Sequence, residues 1–324
     1  LLLLVAFVEV YFERQYQSSH NNRQLCTEPS DIDNLVYSFV ASTQCGTNSK
    51  GYYDYENSLE KPANTFRIVV IGDSVAQGAR HGVTIEDAFP NQLENLMNAD
   101  SRFGKKTEVI NLSRSGYSTS QQLVLLENEA FTYGPDLIIW SYVLNDPAHP
   151  VYNNPNAELG RYHHHPTSYV IFYLKLAWSY LREGFIFGTR LLFQTGGTFA
   201  CQADYHSFLH CSQKNEVIKN IQSIGGLVQR NQIPTVFMVH PIFEESLSFQ
   251  DYSLAGLHHD LNELSTTVGL RTANLLAYYQ TNNIEPEDIR RQRSDWFDPW
   301  HQNVLGHQTI TAFLHEYLLR GRYN

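Results

Sequence analysis

From Thr65 onward the chain carries four near-continuous apolar runs of strand length: RIVVIGDS at 67–74, KTEVINLS at 106–113, PDLIIWSYV at 135–143 and IPTVFMVHP at 233–241. None alternates between apolar and polar positions, as a strand with one wet face would. A run that is apolar almost throughout is the pattern of a strand covered on both sides in a parallel sheet. Helical spacing fills the intervals, in AFPNQLENLMN (88–98), SQQLVLLENEAF (120–131), NEVIKNIQSIGGLVQR (215–230) and LHHDLNELSTTVG (257–269). Strand and helix in alternation predict an α/β domain, a three-layer α/β/α sandwich around a mostly parallel sheet.

Two regions depart from this rhythm. Residues 15–64 are polar, rich in Asn, Ser and Gln, and lack sustained periodicity apart from LVYSFV at 35–40. They read as an extension wrapped on the main body, 65–324. The segment 147–215 is long for a connection and contains TSYVIFYLKLAWSYLREGFIF at 167–187, apolar almost all round but broken by Lys175, Arg182 and Glu183. Those charges come too early for a membrane span and favour a buried or lid-like amphipathic helix. Residues 1–14 open with LLLLVAFV, too short to cross a bilayer, which takes about 20 residues. They fit the trailing end of a transmembrane anchor, with Tyr11 and Phe12 at the interface. A short helix packed on the domain is the alternative. A cleaved signal peptide fits less well, because no small-residue cleavage pattern follows.

Charge and composition narrow the partners. A formal net charge of -10 and the lack of any basic run argue against nucleic acid. The 20 Tyr and 18 Phe suit a carbohydrate-facing or membrane-near surface, and equally a large core. Cys26, Cys45, Cys201 and Cys211 form no CxxC pair, which favours disulfides over metal binding. The expected pairing is local, Cys26 with Cys45 and Cys201 with Cys211, since both pairs fall in polar, loop-like segments. Together with an anchor this points to an oxidising, extracytoplasmic location; reduced thiols in a cytosolic protein are the alternative.

Ligands of an open parallel sheet bind at the carboxyl ends of its strands, and here three of those ends are polar. Gly72-Asp73-Ser74 follows the first run, Asn111-Leu112-Ser113-Arg114-Ser115-Gly116 closes the second, and Asn145-Asp146 follows the third. Further on, DWFDPWHQNVLGH places Asp298 three residues before His301. An acyl-transfer site needs a hydroxyl nucleophile, an imidazole base, a carboxylate to fix the imidazole, and donors for the oxyanion. All are present. In a turn or helical loop, residues three apart point the same way, so Asp298 can accept from Nδ1 of His301 and leave Nε2 facing Ser74.

These blocks resemble the SGNH hydrolases, also called the GDSL esterase and lipase family, and the match covers most of Thr65 to Tyr323. GDSV resembles the first block and implies Ser74 as nucleophile and, through its backbone N–H, an oxyanion donor. NLSRSG implies Gly116 as a second donor, VLND implies the Asn145 side chain as a third, and DPWH implies Asp298 and His301. Val143 stands where the third block commonly has glycine, and Val75 where the family name has leucine. The resemblance implies a serine esterase acting on small acyl groups on carbohydrate, or on lipid esters, without a cofactor. An acyltransferase using the same triad on a sugar is a second reading. A non-catalytic subunit of a membrane-associated assembly is a third.

Neighbouring residues carry plainer roles. Asp73 is expected to order its turn, Asp146 to brace its loop, and His307 to be structural or capping. Asp295, six residues from His301, competes with Asp298 but shares no obvious face with the imidazole. His163, His164 and His165 tempt a metal reading, but consecutive side chains diverge and no other ligand sits at the right spacing. Trp296 and Trp300 flank the triad block, as sugar platforms or as core.

Overall fold

The computed structural model describes residues 8–14, 26–147, 204–244 and 248–321, together with 170, 171, 174, 178, 181, 199, 200 and 202. Its centre is a five-stranded sheet in which β3 (Thr65–Gly72), β4 (Lys106–Asn111), β5 (Leu137–Val143), β6 (Thr235–His240) and β7 (Arg271–Thr272) lie in the order β4-β3-β5-β6-β7. Every pairing in this sheet is parallel. All residues of β3, β5 and β6 are buried, which is why their sequences are apolar at nearly every position. β7 has two residues and lies at the edge, half-exposed, too short to leave a sequence pattern.

Helices cover both faces. Phe89–Ala99 packs with Val304–Gly321 on one side, and Thr119–Asn128 packs with Lys214–Arg230 and through it Ala255–Thr267 on the other. The chain leaves β3 for β4 in one direction and then crosses to β5 in the other. The crevice between the carboxyl ends of β3 and β5 is therefore the switch point at which such sheets bind ligands.

The extension has more structure than its composition suggests. β1 (Thr27–Pro29) and β2 (Tyr37–Phe39) pair antiparallel, and Cys26 and Cys45 are disulfide-bonded. Leu35, Tyr37, Tyr52 and Tyr53 are buried in the common core. Cys211 is also disulfide-bonded, while Cys201 lies outside the described residues. The loop expected around Cys211 is instead a helix, Tyr205–Ser212, started by Asp204, whose side chain accepts from the Ser207 amide at 2.8 Å. That cap and the buried Phe208, Leu209 and His210 outweigh the polar composition.

Most of 147–215 lies outside the described residues. Of the expected buried helix, Ile171, Leu174, Trp178 and Leu181 are helical, at spacings of one helix face, and exposed. The apolar stripe thus faces outward. Residues 8–14 form a helical turn whose Glu9 carboxylate accepts from the Val170 amide at 3.3 Å. No helix among the described residues is long and apolar enough to cross a membrane.

Candidate active site

The last residue of β3 is Gly72 because its neighbour runs too close for a side chain: a Cβ there would lie 2.7 Å from the Ser141 carbonyl oxygen of β5. The next residue turns the chain. The Asp73 carboxylate accepts from the Val75 amide at 2.9 Å and caps the short helix Ser74–Gln77, leaving Ser74 on its first position at the end of the strand. The Ser74 hydroxyl lies 3.0 Å from Nε2 of His301.

On the far side of that imidazole, Nδ1 is 3.0 Å from each oxygen of Asp298. The Asp298 side chain also accepts from the Trp300 amide at 3.2 Å and the His301 amide at 3.1 Å. The carboxylate thus builds the turn that presents its own partner, the physical content of the three-residue spacing. Asp298 is fully buried. Burial opposes its charge, but hydrogen bonds and attraction from His301, with the two amides, outweigh it and hold its pKa below the ordinary value. Arg291 adds a guanidinium 3.8 Å away. Asp295, by contrast, points to solvent and pairs with Arg293 at 2.8 Å.

The Gly116 loop is sewn to the Ser74 helix. The Asn111 side chain donates to the Ala76 carbonyl at 2.9 Å, the Ser115 amide donates to Gln77 at 2.8 Å, and the Arg114 amide donates to the Gly72 carbonyl at 3.2 Å. Gly116 has φ of 78°, a left-handed conformation that suits glycine. Asn145 sits half-buried in the turn directly after β5. Asp146 holds that turn, accepting from the Val143 amide at 3.1 Å and from Gln122 at 3.0 Å. Ser74, Gly116 and Asn145 therefore come from the carboxyl ends of three adjacent strands. Val143, in the place of the usual glycine, is a regular, buried β5 residue.

Asp73 and Asp146 are both buried, and desolvation raises both, Asp73 to about 6 against the pull of His301 and its hydrogen bonds. His307 is buried and accepts from the Phe89 amide at 3.2 Å through Nδ1. Trp296 is exposed beside the half-buried Trp300, ring centroids 6.2 Å apart. No group of metal-ligating side chains occurs among the described residues, and His163, His164 and His165 lie outside them.

Two further side chains reach this site without a signal in the sequence. His81 stacks on His301, and Tyr37 donates to the Ser115 carbonyl at 2.5 Å. A lone His in a glycine-bounded loop carries no pattern of its own, and LVYSFV, which contains Tyr37, gives no sign of where that tyrosine reaches.

A parallel sheet of this order, with these residues at its switch point, defines an SGNH-type α/β hydrolase. The chain matches the GDSL-like lipase/acylhydrolase family over residues 68–313. It belongs to that family and is an ester hydrolase of the SGNH type. Similar solved structures include the acetyl xylan esterase AlAXEase, 14% identical over 78% of this chain and 100% of that one at a TM-score of 0.46. TesA is 12% identical over 78% and 97% at 0.45. The lipase/acylhydrolase from Enterococcus faecalis is 12% identical over 79% and 96% at 0.45. The search of curated proteins returned no match.

Proposed function

We propose that the chain is a serine esterase in which Ser74 is the nucleophile, His301 the base and Asp298 the carboxylate that holds it. The observation that carries this reading is the unbroken relay from Asp298 through His301 to Ser74, each link 3.0 Å long. Neutral His301 takes the Ser74 proton through Nε2 as the oxygen attacks the ester carbonyl. The charge formed on the imidazole is offset by Asp298, and the charge formed on the carbonyl oxygen by donors at Ser74 N–H, Gly116 N–H and Asn145 Nδ2. Collapse expels the alcohol, which takes its proton from His301. Water then repeats the sequence on the acyl-enzyme and releases the acid; a sugar hydroxyl in its place would make the same site an acyltransferase.

The substrates are small acyl esters on carbohydrate, or lipid esters. Exposed Trp296 beside Trp300 favours the first, because an indole face suits a sugar ring. The disulfide supports an oxidising, extracytoplasmic compartment. The apolar run in residues 1–14 supports membrane attachment, with the outward stripe Leu174, Trp178 and Leu181 as further lipid-compatible surface.

The test is labelling with a fluorophosphonate probe, alongside turnover of aryl acetate and decanoate. The wild type should be labelled on Ser74, and Ser74→Ala should lose the label and at least about 10⁴-fold in turnover while keeping its circular dichroism spectrum. An unlabelled, well-folded wild type would favour the non-catalytic reading.

A further inference from the structure

The loop after the Ser74 helix closes on itself. Ala79 and Val83 form a bridge, the Arg80 amide donates to the Val83 carbonyl at 3.3 Å, and the His81 amide donates to the Gly78 carbonyl at 2.8 Å. Arg80 is held at a φ of 68°, a conformation that costs a non-glycine residue about 1 kcal/mol or more and persists only where neighbours over-determine it. The neighbours are in the extension: Arg80 donates to the Tyr53 hydroxyl at 2.7 Å and to the Cys45 carbonyl at 3.3 Å. The strained residue thus fixes its successor. The His81 ring lies on the His301 ring at a centroid distance of 4.6 Å and an interplanar angle of 15°.

We propose that His81 is a positioning residue for His301, a neutral aromatic plate that holds the base in the plane of the relay and faces the imidazolium formed during attack. The inference rests on the esterase reading above. The two hydrogen bonds and the Cβ tether set the mean plane of His301, and a flat ring packed against one face restricts the remaining libration out of that plane. The same ring shields that face from water and offers π density to the developing cation. Neutrality is essential, since a second imidazolium at this distance would repel the first. The groups facing His81 enforce it. Desolvation of this half-buried ring comes first, then His301 whenever it is charged, with Arg291 and Arg80, while Asp298 pulls the other way, and the His81 pKa falls well below the ordinary value. His301 is itself faced by Asp298, Asp73 and His307.

The test compares His81→Ala and His81→Phe in the full chain, reading kcat and KM on an aryl acetate and the downfield proton resonance of His301 Nδ1–H. His81→Ala should lower kcat about tenfold with KM within about twofold, and broaden the resonance. His81→Phe, which keeps the plate, should stay within about threefold of wild type with a sharp resonance. An alanine variant with wild-type kcat and an unchanged resonance would overturn the proposal, as would a phenylalanine variant as impaired as the alanine one. The resonance reports ring order whether or not the protein turns over ester. A wild type that is not labelled at Ser74 thus counts against the esterase reading, and an unchanged resonance in His81→Ala counts against the plate.

Discussion

Asp298 and Asp295 differ in everything but residue type. One is buried and bonded to the imidazole and to two amides; the other is on the surface in an ion pair with Arg293. Asp298→Asn keeps the shape but loses the charge that offsets the imidazolium, and should lower turnover by about 10⁴-fold, as carboxylate loss does in well-studied triads. Asp295→Asn gives up an exposed pair and should stay within about twofold in steady-state kinetics. Equal losses would move the carboxylate role. At this scale the sequence was informative where spacing encodes geometry: Asp298 and His301 share one turn, and Gly72, Asp73 and Ser74 end one strand. It was silent on His81 and Tyr37, because their relevance comes from chain segments that meet only in the fold.

Among elements, the disulfide-stapled extension is tied to the Gly116 loop rather than merely laid on the domain. Tyr37 donates to the Ser115 carbonyl, the Tyr117 hydroxyl donates to the Tyr37 carbonyl at 2.7 Å, and Gln121 donates to the Leu35 carbonyl at 2.6 Å. Buried Arg114, two residues before Gly116, lies over Tyr52 and donates to the Tyr117 hydroxyl at 2.8 Å. Cys26 and Cys45, 19 positions apart, close this hairpin. Replacing both by Ser should cost about 3 kcal/mol in urea unfolding, the scale for a loop of this length. If the extension steadies the donors, Ser74 labelling should slow under conditions where the variant is still fully folded. Labelling at the wild-type rate would reduce the extension to a purely structural role. β3, β5 and β6 were legible because burial on both faces writes itself into composition, and the edge strand β4 because its last three residues are buried. Of the hairpin only LVYSFV left a trace, because three-residue strands held by long-range side chains are too short to declare their pairing.

Taken as a whole, the molecule buries histidines that must stay neutral. Desolvation first, with neighbouring imidazoles, lowers His240, His258 and His307 to about 3, and burial brings His210 to about 4. Each takes up a proton in the unfolded chain near the ordinary value of 6.5 but not in the folded one, so stability falls as the pH drops below that value. Buried Asp54, Asp73 and Asp146 act in the opposite sense, since burial raises them and the folded chain holds their protons more tightly. Together with His81 and His206, also lowered, the histidines outnumber these carboxyls. The urea midpoint should therefore decline from about pH 6.5 downward. His240→Gln can keep the bond to the Ser141 hydroxyl, now 2.7 Å, and should flatten that decline by one proton, about 1.4 kcal/mol per pH unit. An unchanged slope would mean that His240 is already protonated in the folded chain.

The relay also has an order in time. Ser74 and His301 are 227 positions apart, whereas the partners of the extension hairpin lie between Arg80 and Gln121. As the chain is made, the hairpin, the first strands and the donor loop can meet long before the segment bearing Asp298 and His301 exists. If Ser74, His301 and Asp298 act as proposed, the chain made up to that point holds Ser74 without its base, and hydrolysis begins only when the far end docks against Ser74.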